Sequence, residues 1–187
     1  MPSEVEIVSM SLNSIGAESI TSFDDGSKRA NLCRDFYPNI RDAVLRAYPW
    51  NCATERMELG LEAAGPEYEY AYKFQLPTDP YCLRVLEVED DYDYRIEGRY
   101  LLSDNSTIKI KFIKRITDSG LFDSLLMEAI VARLAAALVI PIAGAGNASL
   151  VEGMWKLYEA KIREARTTDG MEGTIKLWQS NALTDCR

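Results

Sequence analysis

Apolar residues Val5, Val8, Leu12 and Ile15 recur at helical spacing and are followed by Gly16, so the pattern predicts a first helix over residues 3 to 15. A second stripe, Ala30, Cys33, Tyr37, Ile40, Val44 and Ala47, runs up to Pro49, with Asp24, Asp25 and Ser27 as candidate N-caps. Pro38 lies inside it and predicts a kink near residues 35 to 37, because its ring removes a main-chain bond and crowds the preceding turn.

From Cys52 the period becomes two. Tyr70, Tyr72 and Phe74 alternate with Glu69, Ala71 and Lys73, and Ile108, Ile110 and Phe112 alternate with Lys109 and Lys111, as half-buried antiparallel strands require. Glu97-Gly98 and Asp104-Asn105 stand where hairpins would turn. Residues 121 to 139 then form an alanine-rich, nearly uncharged stretch that predicts a third helix, capped by Asp118 or Ser119 and closed by Pro141. A helix apolar on most sides must be enclosed by neighbours.

A fourth helix is expected from Asn147 or Ser149. Its stripe Val151, Trp155, Tyr158, Ile162 and Ala165 faces inward, and Glu152 with Lys156 and Glu159 with Arg163 pair at i,i+4 on the wet side. Residues 167 to 173 read as a polar break. Beyond them Ile175, Leu177, Trp178 and Leu183 are the tail's apolar anchors, too few and too widely spaced to enclose a core. The expected fold is α+β. A bundle of four helices, built from residues 1–51 and 117–166, carries an inserted antiparallel β subdomain over 52–116 and an extended C-terminal tail over 167–187.

Composition narrows the chemistry. A net charge of −8 and a pI near 4.7 argue against a protein that grips nucleic-acid backbone, which depends on Lys and Arg displacing counterions. With no histidine, the chain has no Ser-His or Cys-His nucleophile arrangement and no imidazole general base. Cys33, Cys52, Cys82 and Cys186 are scattered, as suits reduced thiols rather than a disulfide framework or a zinc site. Glu4 and Glu6 break the only candidate export signal, and the apolar run over residues 134 to 142 is too short to cross a bilayer.

Three constellations imitate known chemistry. Ser106 and Lys109 form an S-x-x-K beside Ser103-Asp104-Asn105, but both fall in one predicted hairpin and no K-T-G accompanies them. Gly144-Ala145-Gly146 lacks the strand-turn-helix context of a dinucleotide fingerprint and reads as a helix-helix connection. Glu87, Glu89, Asp90, Asp91 and Asp93 form the densest charge cluster, yet no glycine stands at the sixth position of a calcium loop. That cluster reads as a solvated hairpin loop. No cofactor, metal site or catalytic residue is expected.

The stretch from residues 11 to 56 places LNSIG before an acidic turn at Asp24-Asp25-Gly26, then a long helix ending in Tyr48-Pro49-Trp50. Downstream follow Tyr70-Ala71-Tyr72, Leu76-Pro77-Thr78-Asp79, Leu83-Arg84-Val85, Ile96-Glu97-Gly98-Arg99 with Leu101-Leu102, Ile108-Lys109-Ile110 and Leu134-Ala135-Ala136. This ordered series, spanning residues 5 to 165, resembles the head-tail adaptors of tailed phages, called tail tubular protein A or head-tail connector in short-tailed phages.

The resemblance implies a structural virion protein at the head-tail junction, assembled in the host cytoplasm. It would form a homo-oligomeric ring, a dodecamer, under the portal protein and above the tail tube or nozzle, with genome DNA passing through unbound and no membrane involved. It further implies a portal-docking tail, here Ile175, Leu177, Trp178 and Leu183. Repeated around a ring, Glu87, Glu89, Asp90, Asp91 and Asp93 would line the channel with negative charge. The alternatives are a small carboxylate-dependent phage hydrolase and a non-viral scaffold domain.

Overall fold

In a computed structural model that describes residues 2–144 and 146–172, the chain opens with helix α1 (Glu4–Ser14). Its start is a capping box. The Ser3 hydroxyl accepts from the Glu6 N–H and the Glu6 carboxylate accepts from the Ser3 N–H, at 3.3 and 2.6 Å. Ile7, Val8 and Leu12 are buried, and Gly16 turns the chain at φ +75°.

Helix α2 (Lys28–Arg46) is capped by Ser27, whose hydroxyl accepts from the Ala30 N–H. It buries the expected Ala30, Cys33, Tyr37, Ile40 and Val44. It also continues unbroken through Pro38, with the Asn39 side chain donating to the Asp35 carbonyl at 3.0 Å. Trp50 then closes the helical layer, its indole N–H donating to the Val44 carbonyl.

Six strands follow: β1 (Thr54–Glu58), β2 (Tyr72–Gln75), β3 (Cys82–Val88), β4 (Tyr94–Glu97), β5 (Tyr100–Ser103) and β6 (Lys109–Lys114). They form two small antiparallel sheets, ordered β1-β6-β3 and β2-β5-β4. In β6 the predicted alternation places Ile110 and Phe112 between the sheets with Phe74 and Leu101, while Ile113 packs with Leu83 against the helices. The β1-β6-β3 sheet thus lies between the β2-β5-β4 sheet and the helices, meeting the helices at its Leu83 and Ile113 end while Lys109 and Lys111 of β6 reach toward solvent.

Of the two expected hairpin turns, one is corrected. The 97–98 turn does close the β4–β5 hairpin, with Gly98 at φ +58°. Asp104-Asn105 instead begins a crossing from one sheet to the other, and the Asp104 carboxylate accepts from the Ala71 N–H at 2.9 Å. The aromatic strand begins at Tyr72, not Tyr70.

Asp118 caps only a single turn, Ser119–Leu121, and Asp123 caps helix α3 (Ser124–Ala143). The helix passes Pro141, which sits in its last turn and so removes only one bond. At 20 residues and a mean hydropathy of 2.1, α3 is long and apolar enough to cross a membrane by length and composition, against the shorter span read from the sequence. Here its Leu126, Ala129, Ile130, Leu134, Ala135 and Leu138 are buried under α1, α2 and helix α4 (Ala148–Met171).

In α4, Ile162 and Ala165 are buried as expected, but Trp155 stays 37% exposed with the Arg133 guanidinium 4.1 Å over its ring. Glu152 pairs with Lys156 at 2.6 Å, and Lys161 ties α4 to Glu128 of α3. The architecture is α+β, with four helices and two small antiparallel sheets.

Candidate functional site

The acidic residues sit in the link that carries the chain from the middle sheet to the outer one, so they are not a hairpin loop. Glu87 lies in β3, Glu89 and two aspartates form a tight turn with Asp90 at φ +58° and Asp91 at +52°, and Asp93 precedes β4. Non-glycine residues take up this left-handed backbone rarely, and Asp is among those that tolerate it.

Two lysines of β6 answer two of these carboxylates. Lys109 Nζ is 3.0 Å from Glu89, and Lys111 Nζ is 3.5 Å from Glu87. The hydrogen bond that Lys109 donates to Glu89 raises the Lys109 pKa, and the Asp90 charge raises that of Tyr92. Asp90, Asp91 and Asp93 have no such partner among the described residues, so the negative field concentrates on those three. Also among the described residues, no cluster of Cys, Asp and Glu is placed to hold a metal ion. The segment can repel phosphate or attract a basic surface.

The other imitations of chemistry are accounted for locally. The Ser103 hydroxyl donates to the Asp93 carbonyl at 2.8 Å, tying β5 to the acidic link, and Lys109 is engaged by Glu89 rather than Ser106.

Sequence reasoning missed a cationic cleft of about 370 Å³ at the junction of helices and sheets. The Tyr81 ring lies between two guanidinium groups, Arg99 at 4.2 Å and Arg115 at 4.1 Å. Arg115 donates to Asp42 at 2.7 Å, and Asp42 is shared with Arg41, 2.9 Å away, which also reaches Glu4. Arg46 donates to the Leu83 carbonyl, and Arg99 to those of Cys82 and Pro77. The line Glu4–Arg41–Asp42–Arg115–Tyr81–Arg99 therefore runs from α1 through α2, the end of β6 and the start of β3 to the β4–β5 turn. No periodicity signals it, since its members lie at element ends and are drawn from five separate stretches of chain.

The tail anchors Ile175, Leu177, Trp178 and Leu183, and Cys186, lie outside the described residues. What is described corrects the expected break after residue 166, because α4 continues through Met171. Its last turns are held by the segment that follows α2. The Tyr48 hydroxyl donates to the Arg166 carbonyl at 3.2 Å, the Asn51 N–H donates to the Asp169 carboxylate at 3.0 Å, and the Asn51 side chain donates to the Asp169 carbonyl at 2.8 Å. Burial raises the pKa of Asp169, partly offset by that Asn51 N–H. The described part of the chain therefore ends beside Asn51, whose side chain also donates to the Glu172 carboxylate at 3.4 Å. Compared with protein-family models and with curated proteins, the sequence finds no match.

Proposed function

We propose that the protein is a head-to-tail adaptor of a tailed phage, a ring subunit that joins the portal to the tail tube or nozzle and continues the DNA channel. The observation that carries this reading is the ordered motif series of the sequence. What supports it in the fold is that three of the motifs fall at joints between elements and two fall inside elements of the expected type. LNSIG is the end of α1, YPW the end of α2, LPTD the turn before β3, LRV lies in β3, and LAA lies in the centre of α3.

In this reading the four helices form a bundle that packs against neighbouring subunits, and the β layers project from it. The tail from residue 173 docks on the portal through Ile175, Leu177, Trp178 and Leu183. Burying Trp178 and Leu177 in a groove would return about 1.5–3 kcal/mol each, enough with main-chain contacts to order a short segment on a partner. Asp90, Asp91 and Asp93, with Glu87 and Glu89, face the bore, where like charge keeps DNA from adhering. The function is then geometric and involves no bond-making step.

A ring interface is heterologous, so free subunits must not close or polymerise before the portal is present. Sedimentation of the protein alone and with purified portal rings tests the proposal. The expected result is a ring only in the mixture. A stable dodecamer without portal would overturn the sequential assembly, and no association with portal rings would overturn the adaptor reading.

A further inference from the structure

We propose that β4 is a self-pairing edge, through which two copies of this chain join β4 to β4, antiparallel, about a two-fold axis at Ile96. β4 is the outer strand of the β2-β5-β4 sheet, and all four of its residues are exposed. Tyr92, Tyr94 and Ile96 are among the chain's exposed large apolar side chains, with Ile96 41% exposed. An uncovered strand edge offers a row of free N–H and C=O groups to another strand.

The hairpin register decides which groups those are. The turn at Gly98-Arg99 is closed by the pair Glu97–Tyr100, which in a two-residue hairpin exchanges main-chain hydrogen bonds. Alternation then turns Glu97 and Arg95 toward β5 and leaves Ile96 and Tyr94 with their N–H and C=O directed outward. A second strand can therefore pair only in registers that oppose outward-directed residues. One such register sets Ile96 opposite Ile96 of the second copy.

That register is also the one the side chains favour. It places Arg95 opposite Glu97 of the second copy and, by symmetry, Glu97 opposite its Arg95, giving two cross-strand ion pairs in place of the looser contacts Arg95 makes within its own chain, 3.6 Å to Glu97 and 3.8 Å to Glu69. It sets Tyr94 opposite Gly98, where no side chain competes with the ring. Sliding by two residues in one direction opposes Arg95 to Arg95, and in the other Glu97 to Glu97. Charges on an edge strand ordinarily discourage pairing. Here their order, Arg-Ile-Glu, is complementary to itself when reversed.

A four-residue edge makes an interface below about 1,200 Å², the size of weak and transient contacts, so the pairing depends on concentration. Being isologous, it closes after two copies and leads to no fibre. The inference is independent of the adaptor reading, because no portal enters its test.

Sedimentation equilibrium of the full chain from about 10 µM to about 1 mM is expected to show the mass rising from 21.0 kDa toward twice that value, as a contact of such small area requires. Arg95→Glu alone and Glu97→Arg alone each oppose like charges across the axis and should stay monomeric over the same range. Mixed in equal amounts, the two variants restore both ion pairs, so they should associate one to one and about tenfold more tightly than either alone. This mixing also controls for folding, since two misfolded variants would not complement each other. A wild type monomeric throughout, single variants that associate like the wild type, or a mixture that does not associate would each overturn the proposal.

Discussion

Removing Asp42 should damage the protein more than removing Arg115, although the two are partners in one ion pair. In Arg115→Ala, Asp42 keeps Arg41 at 2.9 Å, so no carboxylate is left alone. What is lost is one ion pair whose side chains are 35% and 21% exposed, worth about 1 kcal/mol after solvent screening, and a cation–π contact with Tyr81, worth about 0.5–1 kcal/mol. The expected cost is about 1.5–2 kcal/mol. In Asp42→Ala, Arg41 retains Glu4 at 3.5 Å and the Tyr37 ring at 5.8 Å while its own side chain is 7% exposed, and Arg115 is released as well. Leaving a buried guanidinium poorly paired raises the expected cost to about 3–4 kcal/mol.

Urea denaturation of both variants and of Asp42→Asn measures this. The double variant Asp42→Ala/Arg115→Ala should fall short of the sum of the singles, because they share the contact. For a chain of this size about 2 kcal/mol corresponds to a melting shift of about 4–8 °C. Equal costs, a reversed order, or full additivity would refute the argument that Asp42 is the hub of the helix–sheet junction.

The protein should show no useful affinity for duplex DNA at physiological salt, because a charge of −8 outweighs the cleft formed by Arg46, Arg99 and Arg115; tight, salt-sensitive binding in an anisotropy titration would refute this. Removing residues 173–187 should leave a folded protein that no longer attaches to portal rings, and Trp178→Ala should weaken attachment; unchanged co-sedimentation of the truncated chain would move the portal contact to the helices. Asp169 binds its proton more tightly folded than unfolded, so its unfavourable contribution is absent below pH 3.8 and grows as pH rises through its raised pKa. Asp169→Asn should therefore gain stability relative to wild type between pH 4 and pH 7 in paired denaturation curves, and a constant difference between the two curves would refute it. Burial pushes the Cys33 thiol up to about 11, so in the native protein at pH 8 Cys33 should resist a thiol reagent that labels it promptly in urea; prompt native labelling, read by mass spectrometry, would contradict its enclosed position.

The four helices, the change of period at Cys52 and the buried faces of α1, α2 and β6 are legible in the chain alone, because each is written as local apolar periodicity. Val8 and Leu12, or Ile110 and Phe112, must share a face whatever surrounds them, whereas the burial of Ile7 beside Val8 is a product of packing. Where those elements stop and what they meet depends on contacts between distant segments. α3 runs through Pro141 and α4 through the polar residues 167–171, since α3's last turn needs few of its own bonds and Asn51 and Tyr48 hold α4's end. The division of six strands into two sheets was equally illegible, because Asp104-Asn105 has turn chemistry whether the next strand pairs beside it or crosses to another layer. The Tyr81–Arg115–Asp42 junction and the outward groups of β4 arise from pairings between distant segments, and such pairings leave no period in the chain.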